Sequence, residues 1–373
     1  MRRVVIKLGS SVVADPEGTP RMDVLASLCD QLAALHRAGD EVIVVTSGAI
    51  ARGMRVMNLP QRPSSTGALQ AASAVGQGKL YRIYDELLRE REITSAQVLL
   101  TFFDMSARTH YLNARQTLTT LLEWRVLPVI NENDTTATDE ISFGDNDFLA
   151  AQVAVLVAAD ELILMTDIDG LYTADPRLHP DAHIVAEVSD FDALDDLEIG
   201  HTTSPLGSGG MRSKVVAAEM ATAAGIPTVI CNGVRAQALA AVLAGEREGT
   251  HFAAREARYS SFKLWLKYAK PSRGTLVIDA GAVRAVRDGS ASLLPVGIVN
   301  VLGQFDAGDA VDIAEPPESP DSDRQHGRTL AKGICSYSAE ELRSVLGLKS
   351  EAVRNVLPRA SDEAVHRDYL VVD

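Results

Sequence analysis

Over roughly the first 235 residues, short runs of β-branched and other apolar residues alternate with longer segments of helical period, and this order constrains the chain most. A chain that must pass through a helix between successive strands builds a parallel sheet with helices on its faces. The expected strands are Val4 to Leu8, Glu41 to Thr46, Ser95 to Leu100, Val126 to Asn131, Leu162 to Thr166 and Thr228 to Cys231. Nearly all their residues are apolar, as strands buried on both faces should be. The clearest helix is expected after Asp23 as N-cap, with Val24, Leu25, Leu28, Leu32 and Leu35 at three- and four-residue steps and Gly39 as its stop. Polar and glycine-rich residues follow the strands: KLGSS after the first, TSGA after the second, NENDTT after the fourth and TDIDG after the fifth. Open α/β sheets bind ligands at those carboxyl ends, where helix N-termini offer free N–H groups.

After about Arg258 the texture changes. TLVIDAGAVRAV, SLLPVGIVNVLG and DAVDIAE are strand-like pieces with close turn signals and no long helix, which predicts a small β-barrel or sandwich. PPESPDSDRQHG reads as an exposed loop, and the residues from about Glu351 predict no element. A chain of 373 residues, 46% hydrophobic and 23% charged, can bury sizeable cores and fits two domains. A net charge of −14 disfavours non-specific attraction to nucleic-acid phosphates or anionic lipid, so small molecules are the expected partners. Cys29, Cys231 and Cys335 lack Cys-x-x-Cys spacing, and the apolar run in MRRVVIKLGSS is too short for a signal peptide or membrane span. Reduced thiols and a cytoplasmic location, with no membrane partner, are expected.

IKLGSS carries neither G-x-G-x-x-G nor a P-loop. Lys7 sits in an apolar strand, where it either snorkels to the surface or meets an anion. Gly207, Gly209 and Gly210 run into an alanine-rich helix with Lys214 in its first turn. That arrangement suits phosphate, because a lysine there opposes the helix dipole unless an anion lies beside it. In FGDNDF, Asp147 opens a helical pattern, and one Asp would serve as a cap. Asp145, Asn146 and Asp147 together with Asn131, Glu132, Asn133 and Asp134 exceed that need, and such clustered acceptors suit an ammonium, a pair of lysines or a metal. His179 and His183 are four apart but interrupted by Pro180 and Asp181, which reads as a solvated loop rather than a metal site.

VIKLGSS, VTSGAIARG, YLNARQTLTTLL, VLPVINENDTT, FGDNDFLAA, TDIDGLYTADPR and GSGGMRSKVVAA occur in the order found in glutamate 5-kinases of the amino acid kinase family, which residues 1 to 258 resemble. Residues 273 to 352 resemble a PUA domain, with 259 to 272 as linker and 353 to 373 as a tail. The resemblance implies a three-layer α/β/α amino acid kinase fold with a mainly parallel sheet, plus a small β-rich PUA domain. It implies ATP-dependent phosphorylation of the side-chain carboxylate of L-glutamate, the first step toward proline, with Mg²⁺ accompanying ATP, proline as feedback inhibitor and a homo-oligomer. Carried over by motif, Lys7 stabilises the transferring phosphoryl group, Lys214 lies near the leaving phosphates and Asp147 orients both lysines. Ser47, Gly48 and Ala49 form the turn that meets the amino acid, while Asp134 and Asn146 bind it. Gly9 and Ser10 offer N–H groups to phosphate, and Thr166, Asp167, Ser208, Gly209, Gly210, Met211, Arg212, Ser213 and Lys214 border ATP. Thr166-Asp167 stands where the family often has Ser-Asp, and keeps the hydroxyl. A related kinase acting on N-acetylglutamate or aspartate shares the nucleotide motifs. An RNA-binding role for the PUA-like part is disfavoured by its acids, among them Asp306, Asp309, Asp312 and Glu315.

Overall fold

A computed structural model describes the chain apart from residues 102–103, 105–107, 137–145, 192–193, 195–209, 257–260, 269, 271, 289–290, 318–325, 358–360 and 373. It comprises two units, Met1–Ser261 and Phe262–Asp373. Among the described residues, no helix is long and apolar enough to cross a membrane.

The first unit is built on an eight-stranded sheet: β1 (Arg3–Leu8), β2 (Glu41–Thr46), β3 (Ser95–Leu100), β4 (Leu127–Glu132), β5 (Glu161–Thr166), β6 (Glu187–Val188), β7 (Thr228–Asn232) and β8 (Thr250–Phe252). Their order is β3-β4-β2-β1-β5-β7-β8-β6, parallel throughout except where β7 meets β8. All six expected strands are present to within one residue at either end. The reason lies in β1, β2 and β5, whose last five residues are all buried and therefore read as continuous apolar runs. The two-residue β6 and three-residue β8 carry too little pattern to be read.

Alternation along β1 sorts its side chains between two layers. Val4, Ile6 and Leu8 pack with Leu25, Leu28 and Leu32 of helix Met22–Arg37, with Leu80 and Tyr84 of helix Thr66–Arg89, and with Leu239 of helix Ala238–Leu243. On the other face lie helices Arg108–Glu123, Asn146–Val157 and Met211–Ala223, which completes a three-layer α/β/α unit. Lys7, one residue out of phase with Ile6, belongs to that second face. The first long helix begins at Met22 with Arg21 at the N-cap, so Asp23 lies in the first turn rather than capping it. There its charge still complements the helix dipole. Gly39, at φ +98, follows the C-cap as expected.

The chain leaves β1 toward β2 and later returns to β5 on its other side, so the connections diverge at the carboxyl ends of β1 and β5. Such a switch point opens a crevice without any special side chain. Helix Ala49–Val56 is pressed onto helix Thr66–Arg89 through two glycines: a Cβ on Gly53 would lie 1.7 Å from the Ala72 carbonyl oxygen, and one on Gly76 would lie 1.9 Å from that of Ala49.

The second unit has a five-stranded mixed sheet: β9 (Ser272–Ile278), β10 (Ile298–Gly303), β11 (Ala310–Ala314), β12 (Thr329–Cys335) and β13 (Val365–Val372), in the order β10-β9-β11-β12-β13. Only the β9–β11 pairing is parallel. Leu276, Ile278, Val311, Ile313 and Leu370 share its apolar core with Leu342 and Val345. Two departures from the sequence reading stand out. The second half of TLVIDAGAVRAV is a helix, Ala280–Arg287, because the Asp279 carboxylate accepts from Ala282 N–H and caps it. The tail supplies β13, whose exposed Arg367, Asp368 and Tyr369 hide the apolar Val365, Leu370 and Val371 that hold it to the sheet. Residues 259–272 include a helix, Ser261–Tyr268. Much of the acidic, proline-rich run, residues 318–325, lies outside the described residues.

Candidate active site

Lys7, at the penultimate position of β1, is 3% exposed, and its Nζ lies 2.5 Å from Asp147 Oδ1. Lys214, at the fourth position of helix Met211–Ala223, is 5% exposed and donates to Asp147 Oδ2 across 3.0 Å. The Ser213 hydroxyl lies 2.8 Å from Asp147 Oδ2 and 2.9 Å from the Gly210 carbonyl, and donates to one of them at a time. Asp147 itself is fully buried. Burial opposes its ionisation, but Lys214, Lys7 and the Lys7 and Ser213 hydrogen bonds outweigh that and hold its carboxyl well below the usual carboxylate range. Lys7 therefore does not snorkel. The anion that offsets Lys214 at its helix start is a carboxylate of the chain itself.

Two lysines on one carboxylate leave a buried cluster with one net positive charge. Burying charge this way is expensive unless the surroundings reward it, so such a cluster marks a functional site more readily than a stabilising one. The dipole of helix Asn146–Val157 favours the Asp147 carboxylate in its first turn, but its positive end does not offset the excess lysine charge.

A cleft is lined by Ser10, Ser47, Gly48, Ala49, Ile50, Ala51, Arg62, Asn131, Asp134 and Asn146. The turn after β2 is formed by Gly48 at φ +105, a conformation that favours glycine, and delivers the chain into helix Ala49–Val56. Beneath it, Tyr84 and Thr46 share a buried hydroxyl–hydroxyl bond of 2.7 Å, while Thr46 Oγ1 lies 3.1 Å from the Ser47 carbonyl. Asn146 Nδ2 donates to the Thr46 carbonyl, at 2.5 Å, and to Asn131 Oδ1, at 2.6 Å. Asn131 Nδ2 in turn donates to Gln77 Oε1. A backbone carbonyl only accepts, so the orientation of the whole amide relay follows from Thr46. By elimination, Asn146 presents an acceptor: its Oδ1 and the Ser47 hydroxyl are buried with no hydrogen-bond partner among the described residues. Ser73 donates to Asp134 Oδ2. Burial raises the Asp134 carboxyl above its ordinary range, against the lowering effects of Ser73 and Arg62.

The loops after β1 and β5 are tied together. Gly9 N–H, expected to face phosphate, donates instead to the Met165 carbonyl at 3.1 Å, because the adjacent strand end comes close enough to claim it. Ser11 Oγ donates to Asp167 Oδ1 at 2.9 Å, and Thr166 Oγ1 lies 3.2 Å from the same oxygen. Gly210 is the N-cap of the helix bearing Lys214, Met211 is half-buried and Arg212 is exposed. Ser208, Gly209 and Asp145 lie outside the described residues.

The structure thus brings Lys7, Asp147, Ser213 and Lys214 into one cluster, and Ser10, Ser47, Gly48, Ala49, Asp134 and Asn146 into one cleft. The sequence reading left out Arg62, Ser73 and Gln77. Ser73 and Gln77 point to the site only through their place on helix Thr66–Arg89 over the carboxyl ends of β2 and β4, which periodicity does not reveal.

Residues 2–232 match the amino acid kinase family, and residues 274–357 match the PUA domain. Among curated proteins, the chain is 44% identical to the glutamate 5-kinase of Meiothermus ruber over 372 residues, covering 100% of this chain and 96% of that protein. It is 42% identical to the glutamate 5-kinase of Caldanaerobacter subterraneus subsp. tengcongensis, covering 99% of this chain and 97% of that one. With that of Nitrosospira multiformis the identity is 43%, over 100% of this chain and 98% of the relative. With its buried lysine cluster and polar cleft at the carboxyl ends of a parallel sheet, the chain belongs to the amino acid kinase family and, within it, to the glutamate 5-kinases, with a PUA domain following the kinase domain.

Proposed function

We propose that the cleft transfers the γ-phosphoryl group of ATP to the side-chain carboxylate of L-glutamate, giving L-glutamate 5-phosphate and ADP, the first step of proline biosynthesis. The observation that carries this reading is a junction between consecutive residues: Asn146 lines the cleft and Asp147 holds both lysines. An acceptor bound at the cleft therefore lies next to the charge needed for phosphoryl transfer.

The glutamate side chain, with an ordinary pKa of about 4.3, is already ionised at neutral pH and needs no general base. Its oxygen attacks the γ-phosphorus while the bond to the β,γ-bridging oxygen breaks, and the electron pair leaves with ADP. The obstacle is the approach of an anion to a polyanion, which positioned positive charge reduces. Lys7 stabilises the transferring group and Lys214 the leaving phosphates, and Asp147 fixes where both ammoniums stand. The substrate α-ammonium is held by Asp134 and by Asn146 Oδ1, both acceptors, with the Ser47-Gly48-Ala49 turn closing around it. Thr166, Asp167 and the segment from Ser208 to Lys214 border the nucleotide, and Ser10 faces its phosphates.

Mg²⁺ fits as a companion of ATP. Both Asp147 oxygens are taken by lysines, so Mg²⁺ arriving with ATP would rely on the phosphates and water rather than on Asp147, and would neutralise phosphate charge. Proline, which carries the same α-carboxylate beside an ammonium, is the proposed feedback inhibitor. A cytoplasmic homo-oligomer is the proposed state of the enzyme. An ATP-dependent hydroxamate assay with L-glutamate, L-aspartate and N-acetyl-L-glutamate tests the reading. Product with glutamate alone supports it, and product only with aspartate or N-acetylglutamate rules it out. N-acetylation would remove the cation that Asp134 is proposed to meet.

A further inference from the structure

Arg62 belongs to no strand or helix. It lies between helices Ala49–Val56 and Thr66–Arg89 in the segment Leu59-Pro60-Gln61-Arg62-Pro63, and its half-buried side chain lines the cleft with Asp134. Pro63 confines Arg62 to extended backbone and Pro60 fixes its own φ, so the arginine is offered from a stiff segment despite its place in a loop. Burial pulls the guanidinium pKa down, and the Asp134 charge opposes that shift. The influence is mutual, since Arg62 lowers the Asp134 carboxyl that burial raises. Among the described lining residues, Arg62 is the one cation and Asp134 the one carboxylate.

An α-amino acid brings the complement of that pair, an ammonium and a carboxylate on one carbon. With Asp134 and Asn146 Oδ1 as acceptors for the ammonium, the α-carboxylate still has to leave water, which is costly for an ion without a counter-charge. Lys7 and Lys214 are bound to Asp147. A guanidinium matches a carboxylate with two parallel hydrogen bonds, a geometry that lysine cannot reproduce. We propose that Arg62 holds the α-carboxylate of the amino-acid substrate and makes the enzyme specific for substrates in which that group is free. This inference rests on the reading of the cleft as the amino-acid subsite.

The test compares wild type, Arg62→Ala and Arg62→Lys with two ligands: L-glutamate as substrate, and its α-carboxamide, which keeps the ammonium and side-chain carboxylate, as competitor. Arg62→Ala is expected to raise the KM for glutamate about 10- to 100-fold, the loss typical of a charge-assisted hydrogen bond, with kcat and the KM for ATP within about threefold. The inhibition constant of the carboxamide is expected to stay the same, so that the preference for glutamate collapses, and Arg62→Lys recovers part of it. Equal weakening of both ligands, or an unchanged KM for glutamate, overturns the assignment of Arg62 while leaving the kinase reading intact. Failure of the wild type to turn over glutamate overturns both.

Discussion

Asn146 and Asp147 stand side by side in the first turn of one helix and send their side chains to two different polar clusters. Asn146 donates to the Thr46 carbonyl and Asn131, in the wall of the cleft, while Asp147 takes Lys7 on one oxygen and Lys214 on the other. Successive residues of a helix diverge by about 100°. A single helix start can therefore fix an acceptor site and a phosphate site at a set separation, which matters because misplacement of about 1 Å between reacting groups costs on the order of 100-fold in rate.

The amide relay predicts a role for a residue that touches no substrate. Gln77→Met removes the acceptor at the end of the chain from Asn146 through Asn131 and leaves the Asn131 amide free to turn. The KM for glutamate is expected to rise about tenfold, with the KM for ATP unchanged, in line with roughly 1–3 kcal/mol for an unmade buried bond. Gln77→Glu, which can only accept, should restore it. Equal rises in both KM values in Gln77→Met would instead indicate general loosening.

Asp147→Ala leaves two buried lysines facing each other and is expected to cost about 3–5 kcal/mol of stability along with activity. The milder Asp147→Asn gives the pH signature. A carboxyl held below its unfolded value contributes stability that is full above the unfolded pKa, near 3.9, and is lost as pH falls toward the folded value. Melting temperatures of wild type and Asp147→Asn should differ at pH 7 and converge in acid. A gap that widened on acidification would mean that Asp147 is not held ionised by the lysines.

Asp134 predicts the opposite sign. Its carboxyl is raised by burial, so wild-type stability falls as pH rises from the unfolded pKa through the folded one. Asp134→Asn keeps an acceptor for Ser73 and removes that penalty. It should melt a few degrees higher than wild type at neutral pH, with the gain vanishing below the unfolded pKa, and should bind glutamate far more weakly. Lower stability across the whole range would show that the Arg62 charge needs Asp134 more than burial opposes it.

Gly53→Ala and Gly76→Ala should each destabilise by more than about 3 kcal/mol, because the new Cβ meets a backbone carbonyl that no side-chain rotation can move. Any folded Gly76→Ala protein should also show a raised KM for glutamate, since the carbonyl displaced belongs to Ala49 in the wall of the cleft. Thermal melts beside steady-state kinetics check both points, and a fully stable Gly76→Ala would refute the close helix contact.

Much of this arrangement was legible where burial dictates residue type. β1, β2 and β5 read as strands because nearly all of their positions are buried, and Lys7 stood out as a charge in such a run, although whether it snorkels or meets an anion was not legible there. Lys214 and Asp147 were legible as helix-start residues, but their meeting depends on how the helices Asn146–Val157 and Met211–Ala223 pack, which spacing does not reveal. β13 was not legible, because the polar Arg367 and Asp368 interrupt its pattern. Nor was the fate of Gly9 N–H, which is decided by the neighbouring end of β5. Arg62 left no periodic trace at all, and its place follows only from the closure of the cleft around it.

Phosphoryl transfer at the lysine cluster is read most directly by single-turnover quench of γ-labelled ATP with L-glutamate, comparing wild type with Lys7→Ala and Lys214→Ala. Label should pass to the glutamate side-chain carboxylate in wild type, and the transfer rate should fall at least about 10³-fold in each variant, as expected when positioned charge at a transition state is removed. Transfer at the wild-type rate in either folded variant, or label passing to no glutamate product in wild type, would contradict it.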